Sequence, residues 1–371
     1  MNNRKNNRGH LDFDVKKSRY NTYASSAYND ERKDQFLKIL IVVSIFLLAV
    51  IVILFLACSN DRSIPAFNQQ TDSSNSSANV QAPNKDEHPY ATVPTKQNYI
   101  ASGNGAGLGA LDLNSEYALL IDLSTMEAIA SKKADEQIYP ASMTKVMTVV
   151  VACDLITDLD DEYTLKKEVI DQMDQDASSA WLKDYIGQKV TVRDLLYGIT
   201  YRSGADAVYC LLDHLDLSVE EFAALMNQKA QEIGLTKTHF GGAIGMDAEN
   251  NTTTCREIAA IMAYAMDNPL CRELFGGEMY SLKYITELSY YHGTLNTTIV
   301  RTMGESSSSL VNGYNILATK SGFETLAQHC LVSYIQNTQK GEYFILVTAF
   351  ADGNKTDPIN DFVDIFKTVK P

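Results

Sequence analysis

The stretch Tyr139-Pro140-Ala141-Ser142-Met143-Thr144-Lys145-Val146-Met147-Thr148 sets a serine and a lysine three residues apart, at the start of an apolar run that continues through Val149, Val150 and Val151. On a helix, residues at this spacing share a face, so the Ser142 hydroxyl and the Lys145 amine come within side-chain reach. A serine hydroxyl is a weak nucleophile until a base takes its proton. A lysine serves as that base only while uncharged, which requires burial or a nearby positive charge. The apolar flank suits a buried Lys145. Alone, the S-x-x-K spacing is weak evidence, since it arises about once by chance in a chain of this length. A helix-capping serine followed by a surface lysine explains it more simply.

Two further motifs lie downstream. Ser203-Gly204-Ala205-Asp206 reads locally as a helix start, with Ser203 as its cap. Lys320-Ser321-Gly322 ends an apolar strand, where the glycine lets a second backbone approach and the lysine offers a cation to a carboxylate. The segments between follow a regular order. Tyr117–Asp122 and Glu127–Ser131 read as strands. Ser142 to about Leu155 reads as an apolar helix, and Thr191 caps another. Ser218 with Glu221 and Thr254 with Glu257 form two S/T-x-x-E capping boxes before apolar runs. The chain then returns to strands at Leu317–Ser321, Ala327–Ile335 and Glu342–Ala351, and closes on a helix from about Pro358 to Val369. Strands, then helices, then strands and a helix predict an α+β fold in which the first and last strands share one antiparallel sheet.

The 371 residues carry a formal net charge of −14, which argues against a nucleic-acid partner because a phosphate backbone needs a basic surface. Charge is unevenly placed: residues 1–38 hold nine basic and five acidic side chains, leaving 23 basic and 41 acidic for the rest. Cys58, Cys153, Cys210, Cys255, Cys271 and Cys330 include no C-x-x-C pair, and no histidine stands at zinc-ligand spacing from them. The five in the expected folded part, all but Cys58, are expected as buried free thiols, one disulfide remaining possible outside the cytoplasm. No metal or cofactor is expected.

Ile39–Ala57 contains no charged residue. As a helix it would rise about 28 Å, enough to cross the hydrocarbon core. Arg32, Lys33 and Lys38 precede it, which orients residues 1–38 to the cytoplasm as a disordered tail and places the rest outside the cell. The run is longer than the apolar stretch of a cleaved signal peptide, so an uncleaved signal anchor fits better. Phe55-Leu56-Ala57-Cys58 is loosely similar to a lipoprotein cleavage site. Residues 58–112, with the polar tract Gln69–Ser77, are expected to form a disordered tether averaging roughly 40 Å end to end.

S-x-x-K, then S-x-x, then K-S-G, in this order, resembles the signature of penicillin-binding proteins and serine β-lactamases. Tyr139–Thr148 closely resembles the nucleophile segment of the low-molecular-weight penicillin-binding proteins that are serine-type D-alanyl-D-alanine carboxypeptidases. Leu225–Ala230, Thr238-His239-Phe240 leading to Gly245-Met246-Asp247, Ala318–Phe323 and Cys330–Ser333 are similar to the same family. The resemblance covers about Asn114 to Val369 and defines a penicillin-binding D,D-peptidase domain over 113–371. It implies a β-lactamase/transpeptidase-like fold: a five-stranded antiparallel sheet flanked by helices, plus a helical cluster, behind one transmembrane helix.

It also implies roles. Ser142 would attack the carbonyl between two terminal D-alanines of a peptidoglycan stem peptide, Lys145 would take its proton, and Ser203 would relay a proton toward the leaving amine. Lys320, Ser321 and Gly322 would hold the substrate, with Lys320 keeping Lys145 neutral. The backbone N–H groups of Ser142 and Phe323 would form the oxyanion hole. β-Lactam antibiotics would acylate Ser142 stably.

The chain departs from the family at several positions. Ala205 replaces the usual Asn of the second motif, Ser321 the commoner Thr, Glu324 a small or hydroxylated residue, and Asn251 a frequent His. Many relatives also carry a second β-rich domain and a C-terminal amphipathic anchor, which this chain is expected to lack. Ala205 keeps open a catalytically weak or inactive cell-wall peptide-binding module. A serine β-lactamase is a further alternative, against which no E-x-x-L-N segment occurs between Ser203 and Lys320. Transpeptidation to a second peptide is another.

Overall fold

The computed structural model of the chain describes residues 88–246, 250–292, 310–311 and 313–368. The chain divides into units 1–78 and 79–371, and every described residue lies in the second. The expected cytoplasmic tail, the membrane segment Ile39–Ala57 and Cys58 therefore fall outside the described residues. Among the described residues no helix is long and apolar enough to cross a membrane.

Among the described residues eleven strands form: β1 (Ala106–Gly107), β2 (Ser115–Asp122), β3 (Glu127–Lys132), β4 (Glu162–Thr164), β5 (Lys189–Thr191), β6 (Met279–Ser281), β7 (Ser289–Tyr291), β8 (Leu310–Val311), β9 (Tyr314–Glu324), β10 (Gln328–Asn337) and β11 (Tyr343–Ala351). The described residues of the central sheet form seven strands in the order β1-β3-β2-β11-β10-β9-β8, while β4/β5 and β6/β7 are separate two-stranded pairs. The first long strand pairs with the last, Leu120 opposite Leu346, as the order of elements predicts. The expected five antiparallel strands are β3, β2, β11, β10 and β9. The expectation needs correcting at both edges. β1 adds in parallel beside β3, and β8 adds antiparallel beside β9. Two residues cannot display the alternation by which a strand is recognised in sequence.

The helices are α1 (Lys145–Leu155), α2 (Lys167–Ile170), α3 (Val192–Arg202), α4 (Ala205–His214), α5 (Val219–Ile233), α6 (Cys255–Met266), α7 (Pro269–Gly276) and α8 (Asp357–Thr368). Most residues of β10 and β11 are buried, because helices cover both faces of the sheet. On one face Leu119, Ile121, Val332 and Val347 pack toward α6, every residue of which is buried. On the other, Leu120, Ile316 and Leu346 lie under Phe362 and Phe366 of α8.

Local signals explain the helix starts. Thr191 closes a capping box with Asp194, and Ser218 closes one with Glu221. The expected box at Thr254 is only half made. Its hydroxyl accepts from Glu257 N, but the Glu257 carboxylate turns away to accept Thr236 N, Lys237 N and the Thr238 hydroxyl.

The tether expected over 58–112 is not free along its whole length. Tyr99, Ala101 and Leu108 are buried. The Tyr99 hydroxyl bonds Asp267, Ala128 N donates to Ser102 O, and Arg256 holds Ala101 O and the Asn104 side chain. Low complexity ahead of this segment masked its few anchoring side chains. The five described cysteines, Cys153, Cys210, Cys255, Cys271 and Cys330, are buried free thiols.

Candidate active site

α1 buries nine of its eleven residues, as a helix apolar all round must. Lys145 is the first of them and only 2% exposed. Ahead of it, Ala141–Thr144 form a 3-10 turn, and Met143 N donates to Pro140 O at 3.0 Å. Ala141 adopts φ +45°, a left-handed conformation that costs a non-glycine residue on the order of 1–3 kcal/mol. The turn delivers Ser142 Oγ to 3.0 Å from Lys145 Nζ. Lys145 also donates to the carbonyl of Ile244. The next residue, Gly245, has φ +79°, and a Cβ there would lie 2.1 Å from Ala141 O. Only glycine lets this backbone reach the Ser142 turn.

β9 forms the opposite wall. Lys320 is 3% exposed, and its amine donates to Ser203 Oγ at 3.0 Å and to Ser321 O at 2.7 Å. A Cβ on Gly322 would stand 2.8 Å from Ser142 N and 2.9 Å from Ala141 Cβ. This close approach sets the Ser142 amide against β9, one residue before Phe323. Ser142, Ser203, Lys320, Ser321, Gly322 and Phe323 all line one cleft of about 650 Å³.

Ser203 is not the helix N-cap that the sequence suggests. It is the C-cap of α3, in left-handed backbone at φ +57°, and Gly204 begins α4 without a side-chain cap. Asp206 does not face Lys145 as a substitute for the missing Asn. Its buried carboxylate accepts from the Ser179 hydroxyl and from the backbone N–H of Ala180, Leu182 and Ala207. Ala205 is 1% exposed and offers Lys145 no polar group. Asn251 is buried beside the 3-10 turn 141–144, its amide near Thr144 Oγ1 and Met246 O.

Electrostatics favour an uncharged base. Burial, and secondarily the charge of Lys320, push the Lys145 amine well below its ordinary value, while Glu324 and Asp206 oppose this. Burial lowers Lys320 to about 8. Lys320 therefore keeps much of its charge at neutral pH, while the charged form of Lys145 is disfavoured. The arrangement can deprotonate a serine hydroxyl, receive an anionic substrate group, and bring a second hydroxyl to the leaving group.

Several cleft residues escape sequence reasoning. His292 is 2% exposed, and burial and then Lys320 lower it to about 4, so it stands as a neutral imidazole edge-on to Tyr201. Arg202 and Lys355 also line the cleft. Only Arg202 had a signal, a charge directly beside the second motif. Among the described residues no cluster of His, Cys, Asp and Glu is suited to a metal ion.

A sheet covered by helices, with this serine and lysine at its edge, defines the class of proteins with a penicillin-binding-protein, transpeptidase-like fold. The crystal structure of the Streptomyces K15 DD-transpeptidase matches at a TM-score of 0.60 and 26% identity, covering 70% of this chain and 97% of that one. Residues 104–352 match the family described as Peptidase_S11, D-alanyl-D-alanine carboxypeptidase, and the chain belongs to that family of serine enzymes. The D-alanyl-D-alanine carboxypeptidase of Streptomyces sp. (strain K15) is 32% identical over 219 residues, which span 56% of this chain and 72% of that protein. DacA of Escherichia coli (strain K12) is 28% identical over 227 residues, spanning 57% of this chain and 54% of that protein. DacF of Bacillus subtilis (strain 168) is 30% identical over 166 residues, 44% of this chain and 42% of that protein. The chain thus matches about half the length of the last two relatives.

Proposed function

We propose that the chain is a membrane-anchored serine D-alanyl-D-alanine carboxypeptidase that removes the terminal D-alanine from peptidoglycan stem peptides through an acyl-enzyme on Ser142. The observation that carries this reading is the 3.0 Å contact of Lys145 Nζ with Ser142 Oγ, in a site where burial and Lys320 disfavour the ammonium form. Lys145 takes the hydroxyl proton as Ser142 Oγ bonds to the carbonyl carbon between the two D-alanines. The negative charge moves to the carbonyl oxygen, where the backbone N–H groups of Ser142 and Phe323 receive it. On collapse the C–N bond breaks, and the leaving amine takes a proton passed from Lys145 through Ser203. Lys320 and Ser321 hold the terminal carboxylate throughout, and Gly322 leaves room for the peptide against β9. Water, deprotonated by Lys145, then hydrolyses the ester and restores Ser142. β-Lactams enter the same first half-reaction.

The uncharged run Ile39–Ala57 supports a signal anchor, with the basic residues before it favouring a cytoplasmic N-terminus and an extracytoplasmic domain at the cell membrane.

The test is release of free D-alanine from a peptide ending in D-Ala-D-Ala. The full chain releases it and Ser142→Ala does not. A folded protein that binds the peptide without releasing D-alanine would instead support the peptide-binding module that Ala205 motivates. The solved neighbours described as DD-transpeptidases favour a second reading, acyl transfer to an amine. Adding an amino-acid acceptor distinguishes it, because transfer yields a peptide carrying the acceptor in place of the lost D-alanine.

A further inference from the structure

Arg202 lines the cleft, Trp181 packs against its guanidinium, and neither takes part in the steps above. Arg202 ends α3, one residue before Ser203, and lines the cleft beside Ser178 and Ser203. Its guanidinium carbon lies 3.8 Å from the centre of the Trp181 ring. Trp181, the single tryptophan of the chain, is 43% exposed and sits in left-handed backbone at φ +64°. That conformation disfavours so large a side chain. It is imposed by the flanking turn, which Asp206 fastens through Ser179, Ala180 and Leu182. The turn therefore holds an indole as a platform under the arginine.

The guanidinium itself is unspent. Among the described residues Arg202 makes no ion pair and no side-chain hydrogen bond, and its Nε is buried without a partner. Asp206, a carboxylate that acts on it, is committed to the 179–182 turn. Burial also lowers its basicity, the sign of a partly desolvated cation that pairs more strongly with an anion than a surface one does. An arginine stacked on an aromatic face keeps its in-plane N–H edge, and that planar fork matches a carboxylate. Lys320 is held by Ser203 Oγ and Ser321 O, whereas Arg202 is held by the Trp181 ring. The two cations stand on different supports and are suited to two different anionic groups.

We infer that Arg202, supported by Trp181, forms a subsite for a second carboxylate of the substrate, carried by the peptide on the acyl side of the scissile bond. This rests on the carboxypeptidase reading for the identity of the peptide. The terminal carboxylate goes to Lys320 and Ser321, and Arg202 distinguishes stem peptides that bear a free upstream carboxylate from those in which it is amidated.

Trp181 makes the test direct, because all tryptophan emission comes from this position. The full chain carrying Ser142→Ala is titrated with two peptides ending in D-Ala-D-Ala, identical except that the residue before them bears a free carboxylate or its primary amide. The carboxylate peptide is expected to shift Trp181 emission and to bind about ten-fold tighter than its twin, the scale of one charge-assisted pair. Arg202→Gln removes the difference. Arg202→Lys, which keeps the charge without the fork, retains only part of it and guards against a misfolded Gln variant. Equal affinities with Arg202 present, no binding of either peptide, or a preference that survives Arg202→Gln would each overturn the subsite. D-alanine release by the unmodified enzyme is measured separately, and its failure would count against the carboxypeptidase reading alone.

Discussion

At the residue scale the site is a contest over one proton. Lys145 would ordinarily be an ammonium, and a charged amine cannot deprotonate Ser142. Burial in α1 does most of the work against that charge, and Lys320 adds to it. Ala205 bears on the same balance. With no side-chain amide at that position, the Ile244 carbonyl is the neutral acceptor that holds Lys145 beside Ser142. An amide at 205 would add a partner, and a hydrogen bond in a buried site contributes about 1 kcal/mol. Ala205→Asn is therefore expected to raise the second-order rate constant for penicillin acylation about five-fold. No gain would mean that the Ile244 carbonyl already supplies everything an amide there could. Ser142, Lys145 and Lys320 were legible in sequence because each motif is short-range, one turn of helix or one strand end. Ile244, His292 and Lys355 were not, since each reaches the site only through tertiary packing and carries no motif of its own.

At the element scale the critical contact is between β9 and the 3-10 turn before α1. Gly322 permits it, since a Cβ there meets Ser142 N, Ala141 Cβ and Cys330 Sγ, all within 2.9 Å. Gly322→Ala must push the nucleophile turn off the strand. A displacement of about 1 Å at a reacting group costs on the order of a hundred-fold. Acylation of Gly322→Ala is expected to fall by about that factor, with an unchanged far-ultraviolet circular dichroism spectrum. Wild-type acylation by this variant would dissociate the strand from the chemistry. Local pattern served most elements well, and it failed instructively at Ser203. Ser-Gly before an apolar run is how a capped helix starts, yet the left-handed turn at Ser203 ends α3 and leaves the hydroxyl to Lys320. A residue that breaks its local rule in this way is one the site has claimed.

At the scale of the whole molecule, the segment ahead of β2 belongs to the folded unit. Tyr99 is 4% exposed, meets Tyr264 of α6 edge to face, and bonds Asp267 just beyond that helix. Removing a buried aromatic side chain costs about 3–5 kcal/mol. Tyr99→Ala in the full chain is expected to lose at least about 2 kcal/mol by urea denaturation, the smaller figure allowing for its position near the domain edge. An unaltered midpoint would restore residues 88–112 to the tether. Composition marked this region as linker because its anchoring residues are widely spaced. The central sheet was legible because its long strands are continuous apolar runs, whereas β1, β8 and the small β4/β5 and β6/β7 pairs are too short to carry a pattern. All scales meet at an amine beside a serine, in a site that disfavours the amine's charge. The most direct measurement is the rate at which penicillin forms a covalent adduct on Ser142, mapped by mass spectrometry from about pH 5 to about pH 10, in the native chain and in Lys320→Ala. The adduct should form on Ser142 and slow as pH rises through about 8, where Lys320 loses its charge. Without Lys320, the fall on the acid side should move to higher pH, because a repulsion that keeps Lys145 neutral is gone. An adduct on another residue, none at all, or an acid limb that stays in place would contradict the account.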